Sequence, residues 1–543
     1  MIKKLFYIAI LVSLATAATA QDDTKGHLSG DVMINGTVYD RDTLIGTNTT
    51  QYLHEKSSAE AWFTLNYRIQ GWSFMTRFDL YNNSPLLNPV EAYTNQGLAF
   101  YQISKKIDKW EFTAGHFYDQ FGSGILFRAY EDRVIGLDYA VQGVKVQYTP
   151  NDSFMIKGFT GLQKYRFTVW PQVMKGLNSE KIWGIGNVGF LTGLGFFNRT
   201  LDQATMGQLA SDINALPLAQ RFIPTYNMYA GTIYNTLSFQ GFSLYTEYAR
   251  KSREAVFVTD DVTNEVQLKN LDGEVFYGGA NYSFSGFGIN IQYKKIRSFI
   301  MKTSPYATLL DGITDYLPAL SKQLSMRLPA LYSVSAQSQG EEGIQGEVTY
   351  SPNKHSTFDL NASYITQPNG DLLYRELYGD YSHVFSRRVK AEIGVQSLIY
   401  NFSVYEGHPG AVVHTITPFA EMSIRLNNST KPNNGKERLT PSLRFELQYL
   451  STKQDSGSYA YGLVELNLAP KFSFAVSDMY NIIPAHATPD KINYYSFFVG
   501  YTEKQTRFTI GYAKQVAGVV CTGGVCRVEP AFSGVRASLS TNF

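Results

Sequence analysis

Cys521 and Cys526 flank Thr522–Val525, a spacing that suits a disulfide stapling one hairpin of an exported chain. A metal site would want further Cys or His ligands close by, and none is near in sequence. The stretch Asp119–Arg133 mixes Gly122 and Gly124 with Arg128, Glu131, Asp132 and Arg133. Glycines let such a loop fold tightly, and its balanced charges either neutralise one another or form a constriction that selects solutes. Asp260, Asp261, Glu265 and Asp272 are acidic but lack EF-hand spacing, so they read as a solvated loop. No two of the 8 histidines stand at metal-ligand spacing, and His116, beside Phe117 and Tyr118, reads as a wall residue. No G-x-S-x-G elbow is present. These residues call for no enzyme, no metal and no cofactor.

The composition narrows the setting. The chain has 543 residues, 38 Tyr and 35 Phe beside only 5 Trp, and 17% charged residues. A typical soluble domain carries about 25% charged residues. The formal net charge of +2 removes the basic footprint of a nucleic-acid binder. Lys3-Lys4, the apolar run Leu5–Leu14 and Ala18-Thr19-Ala20 make a signal peptide over residues 1–20, with the mature chain starting at Gln21. The apolar run is too short to span a bilayer, which takes about 20 residues as a helix. Removing Lys3 and Lys4 brings the 48 basic residues to 46, equal to the 46 acidic ones.

The elements that position the candidate residues follow from period-two alternation. In Ser442-Leu443-Arg444-Phe445-Glu446-Leu447-Gln448-Tyr449, apolar and polar side chains occupy opposite faces. Similar runs recur from Glu60–Ile69 to Val389–Val395. A soluble sandwich also alternates, but it does not run twenty-odd strands along one chain. Connector lengths alternate too: about 39–58 long, Gln70-Gly71 tight, about 83–95 long, Lys105–Lys109 short, about 119–140 long. Such parity marks a transmembrane barrel with short periplasmic turns and long extracellular loops. Residues 21–543 therefore read as one all-β, antiparallel barrel domain of about 22 strands. Glycine-rich Ile182–Phe197, within the ambiguous stretch 164–225, would bring the count to 24 as one extra hairpin. The polar face then puts Glu60, Arg68, Arg77, Asp79, Glu247, Lys294, Glu347, Asp359, Lys390, Glu392, Arg444 and Glu446 in the lumen. In the longest loop, 299–342, Leu309, Ile313, Leu317, Leu320 and Leu324 recur at helical spacing. Pro318 interrupts the run, so two short helices are expected.

Val535, Ala537, Leu539, Thr541 and the terminal Phe543 occupy alternate positions of the last strand. This resembles the C-terminal signature by which the barrel-assembly machinery recognises bacterial outer-membrane proteins. Two further segments resemble a large, uncharacterised outer-membrane β-barrel family of Bacteroidota. One is the closing hairpin Cys521-Thr522-Gly523-Gly524-Val525-Cys526-Arg527; the other is Gly115-His116-Phe117-Tyr118-Asp119-Gln120-Phe121-Gly122-Ser123-Gly124. The resemblance implies a barrel in the bacterial outer membrane and implies no chemistry.

Two functions fit. The first is a porin-like channel for small hydrophilic solutes. The second is a structural or accessory subunit of an outer-membrane export or assembly complex, docking an outer-membrane protein partner through its extracellular loops. Outer-membrane lipid and, during biogenesis, the barrel-assembly machinery are expected partners in both; nucleic acid is not. Strands begin within about ten residues of Gln21, so no separate N-terminal plug is expected, and the loops would have to narrow a pore this wide.

Overall fold

A computed structural model of the chain describes residues 25–49, 51–84, 92–259, 265–407, 409–426, 439–485, 491–522 and 525–543. The leader expected at 1–20 lies outside the described residues, as do Asp260 and Asp261. The alternating segments form a single antiparallel sheet of 24 strands in which each pairs with its neighbours in the chain. The ring closes where His27–Tyr39 pairs on one side with Ser57–Ile69 and on the other with Phe532–Asn542. Closure removes both sheet edges, so every strand has a partner for its backbone N–H and C=O groups.

The count exceeds 22 because the ambiguous stretch contributes Thr168–Ile185 and Val188–Thr200, a long hairpin turning at Gly186-Asn187. The helix Gln203–Ala215 follows, with the Asp202 carboxylate accepting from the N–H groups of Ala204 and Thr205. It buries Met206, Leu209 and Ile213 against Leu201, Ala255 and Leu268. A capping Asp followed by apolar residues at helical spacing was the available sequence signal.

One end of the barrel carries two-residue turns such as 70–71, 108–109, 186–187, 285–286 and 504–505; the other carries 40–56, 118–140, 201–226, 298–339 and 516–531. Large exposed aromatics flank the tight turns on the outward face: Trp72, Trp110, Trp183, Phe284, Tyr501 and Phe508. Between the ends, the outward positions carry Leu, Ile and Val, including Leu194, Ile233, Leu360, Leu377, Ile393 and Val464. An apolar band edged by aromatics is the outer surface of a transmembrane barrel. No helix among the described residues is long and apolar enough to cross a membrane.

The long segment after Phe287–Arg297 departs from expectation. Residues 299–339 contain no helix, and Leu309, Ile313, Leu317, Leu320 and Leu324 do not share a face. Leu309 is 74% exposed, Leu317 packs with one apolar cluster, Leu320 belongs to a second, and Ile313 and Leu324 join two smaller ones. Pro305, Pro318 and Pro329 deny the segment a continuous ladder, and wall side chains satisfy its backbone instead. Gln163 donates to the Ile313 carbonyl, Gln396 to that of Pro329 and Lys294 to that of Pro318, while Leu328 N–H donates to Gln448.

The last strand carries Val535, Ala537, Leu539 and Thr541 opposite Val38, Gly36, Ile34 and Val32. Phe543 exchanges two backbone hydrogen bonds with Gly30, at 2.9 and 3.0 Å, and its ring stacks on Phe63. Leu539→Arg, on the outward face, is expected to cost about 2–4 kcal/mol, read as loss of the compact, heat-modifiable form on a gel. Ser538→Arg, one residue away on the inward face, should leave that form intact.

Candidate functional site

The candidate site is the lumen, and it is built from wall strands plus two inward-folded connections. On Trp72–Ser84, Arg77 and Asp79 sit two residues apart and so share the inward face. Arg77 pairs with Asp79 at 2.7 Å in the wall, and with Glu131 at 2.8 Å and Asp138 at 2.7 Å in the connection 118–140. Lys164 reaches Asp138 at 2.6 Å, Tyr118 donates to Asp138 at 2.9 Å, and Arg133 binds Glu131 at 2.9 Å. Three cations and three carboxylates thus form a neutral, largely buried set that ties the connection to the wall. Burial pulls the Asp138 carboxyl upward, yet Lys164 and Arg77 outweigh it and hold its pKa down at about 2.

The same connection carries an apolar face. Phe121, Ile125, Leu126 and Phe127 pack on inward Phe159, Met174 and Phe197. Gly176 and Gly195 make room: a Cβ at Gly176 would lie 2.2 Å from Phe159, and one at Gly195 would lie 3.0 Å from Leu126. At the tip, Ser123 donates to Glu247 at 2.5 Å, and Tyr245 and Thr232 donate to the same carboxylate at 2.6 and 2.9 Å.

The connection 298–339 lies across the first. Arg128 N–H donates to the Thr314 carbonyl and Tyr316 N–H to that of Gly124. The Arg128 guanidinium lies 4.4 Å from the Tyr130 ring centre and 4.2 Å from that of Tyr316. From there the segment follows the wall, with Lys322 on Glu347 at 2.5 Å and Leu320, Leu328, Tyr332 and Val334 packed against Ile365, Leu373, Leu398, Tyr400 and Leu450. It bonds Gln163 of Phe154–Tyr165, the seventh strand, and Gln448 of Thr440–Leu450, the nineteenth. Those strands stand twelve apart in a ring of 24, halfway round.

The residues assigned to a constriction therefore lie inside the barrel with their charges engaged: Arg128 between two rings, Glu131 and Arg133 in ion pairs, and Asp132 accepting from Val134 and Ile135 N–H groups. Of the positions assigned to the lumen, Arg77, Asp79, Glu247, Lys294 and Glu446 are buried. Lys294 meets Glu341 at 2.5 Å, Glu60 accepts from Ser84, and Asp359 accepts from Thr349. Arg444 meets Glu421 at 3.0 Å, Glu465 at 3.4 Å and Glu446; Lys390 meets Glu392 at 3.5 Å. Arg68 is exposed near the 70–71 turn. His116 is buried in the wall, where its Nδ1 accepts from Tyr101 N–H.

Sequence reading missed Lys164, Asp138, Arg199, Lys251, Glu254 and Glu376. Arg199, Lys251 and Glu376 continue the inward alternation of their wall strands, so parity would have flagged them. Lys164 follows inward Gln163 directly and turns inward only through the register shift between Leu162 and Lys164. The hairpin Gly518–Thr522 with Val525–Glu529 sets Cys521 opposite Cys526 in its backbone register. A cavity of about 730 Å³ remains between residues 131–138 and the closing strands, bordered by Asn35, Trp62, Tyr81, Arg133, Tyr512 and Arg536. Among the described residues, no group of three His, Cys, Asp or Glu side chains could hold a metal.

Two outcomes are expected. Arg77→Ala leaves Asp79, Glu131 and Asp138 facing one another and should weaken docking of 118–140 by about 3–5 kcal/mol, seen as new protease cleavage within that segment while the barrel stays folded. Burial raises Asp315, in the second connection, to about 8; Glu254 adds to the rise, while its own backbone hydrogen bond, Lys251 and Lys302 oppose it. A raised carboxyl favours the docked state fully below the ordinary carboxylate range, and that advantage is lost as pH climbs toward about 8. Hydrogen exchange across 298–339, corrected for intrinsic rates, should quicken over that window and lose its pH dependence in Asp315→Asn.

No curated protein matches the chain at a significant level. Among solved structures, the P pilus usher (PapC) translocation pore aligns with a TM-score of 0.42 and 10% identity, covering 95% of this chain and 99% of that one. The ferric-catecholate import receptor Fiu from E. coli K12 aligns with a TM-score of 0.41 and 9% identity, over 96% and 82% of the two chains. A BenF-like porin from Pseudomonas fluorescens Pf-5 aligns at 0.34 and 8%, over 96% and 98%. The chain belongs to a protein family described as a family of unknown function (DUF6029), whose model matches residues 1–543.

Proposed function

We propose that this protein is a channel of the bacterial outer membrane for small hydrophilic solutes, its pore narrowed by two of its own connections. The observation that carries the reading is the course of 298–339, which bonds wall strands halfway round the ring from each other. A barrel this wide, left empty, would pass solutes without discrimination. Filled as described, it leaves lateral space bordered by paired charges, such as the cavity beside Trp62 and Arg133. The leader at 1–20, the C-terminal alternation ending in Phe543 and the apolar outer band all support the outer membrane as the site. The Cys521–Cys526 register supports a disulfide stapling the last external hairpin. The reading assigns the chain no catalytic step.

The accessory-subunit reading has one observation of its own. Leu218 and Ile223, in the connection 201–226 at the long-loop end, are 82% and 87% exposed. Large apolar side chains held so openly suit a protein partner. Native extraction followed by mass spectrometry separates the readings: fixed-ratio recovery with another barrel or lipoprotein would replace the channel with the subunit.

For the channel itself, the purified protein should give small, resolvable steps in a planar bilayer. Replacing residues 302–337 by a short Gly-Ser linker should raise step conductance several-fold. Absence of conductance from both forms would overturn the proposal.

A further inference from the structure

The outer wall carries a charged patch that neither the lumen nor the channel uses. It lies on Phe242–Thr259, Val266–Phe284 and Phe287–Arg297, at their ends nearest the long connections. Going outward along the second of these from the 285–286 turn, the outward positions read Phe284, Tyr282, Ala280, Gly278, Phe276, then Glu274 and Asp272. The neighbouring strands repeat the order, with Tyr248 followed by Arg250, and Tyr293 followed by Lys295 and Arg297. Apolar wall, aromatic ring and charge thus follow one another, as the acyl region, interface and headgroup layer of a lipid leaflet do.

Within the charged layer the pairing is uneven. Arg297 meets Glu274 at 3.1 Å and Lys295 meets Glu342 at 2.9 Å. Arg250 and Arg253 share Asp272 with Arg297 and reach it only at 3.7 and 4.0 Å. Their side chains are 64% and 73% exposed. Phe196, Tyr229, Arg250, Arg253 and Asp272 border one recess. Two guanidinium forks, weakly engaged and held over an aromatic floor at headgroup depth, offer bidentate donors to a tetrahedral anion.

We propose that this patch binds the net-anionic phosphomonoester headgroup of an outer-leaflet lipid, whose acyl chains lie along Phe196, Tyr229 and Phe276. Arg250 and Arg253 take the phosphate, while the Asp272 carboxylate, shared with Arg297, lies beside both forks. The proposal rests on the membrane placement above and is independent of whether the lumen conducts.

Native mass spectrometry of the full chain, titrated with bisphosphorylated lipid A or with phosphatidylcholine, tests it. The wild type should retain lipid A in preference to phosphatidylcholine. The double variant Arg250→Gln/Arg253→Gln should lose lipid A retention on the order of tenfold or more. Arg375→Gln, an outward cation on Leu372–Val384, should retain it fully. Equal retention by the double variant, equal loss in Arg375→Gln, equal retention of phosphatidylcholine, or full displacement by inorganic phosphate at matched concentration would each overturn the proposal. A wild type that fails to fold into detergent or bilayer as a barrel would instead sink the membrane placement on which it rests.

Discussion

A ring of 24 strands is too wide for the side chains on its inner face to meet across it, and the rest of the structure follows from that constraint. A small barrel fills itself with side chains. Here the inward positions must find partners elsewhere or stay in water, and the chain supplies those partners from its own connections 118–140 and 298–339. Both originate at the long-loop end, where a few dozen residues can be spared without breaking the two-residue turns that set strand register.

Two kinds of interaction divide the labour of holding these connections in place. Apolar contacts supply the drive: each fully buried Phe, Leu or Ile is worth about 1.5–3 kcal/mol relative to exposure, and Phe121, Ile125, Leu126 and Phe127 are all buried. Buried ion pairs add little net stability, because removing charges from water costs about as much as pairing them returns. Their contribution is registry. With Asp79 on Nε and Nη2, Arg77 is satisfied only by an arrangement that brings Glu131 to Nη1 and Asp138 to Nη2, and Lys164 only by one that presents Asp138 from the other side. Slipping the connection by one residue would leave buried charges without partners, so the set selects one docked geometry among the many that hydrophobic contact alone would permit.

The wall was legible from sequence and the filling was not. Strict alternation in Ser442–Tyr449 and the parity of connector lengths depend only on local geometry, which a single strand imposes on itself. The hairpin Thr168–Thr200 was harder, because glycines that admit Phe159 and Leu126 blur the apolar count of their strands. The leucines of 298–339 misled for a definite reason. Their three- and four-residue spacing serves four separate clusters reached by an irregular chain, and nothing in the segment reveals that Gln163, Gln396 and Gln448 wait in distant strands to bond its backbone. Arg77 and Asp79 were placed by parity, but Glu131 and Asp138 reach Arg77 from the connection 118–140 and Lys164 reaches Asp138 from a further wall strand, a coincidence only the closed ring creates.

Residues 298–339 lie inside the ring and reach opposite walls. Electron cryo-microscopy of the full chain in a lipid nanodisc tests this placement directly. Density for the segment should run within the barrel from Gln163 to Gln448, beside an ordered 118–140. A segment resolved above the mouth, over an unobstructed lumen, would contradict the account.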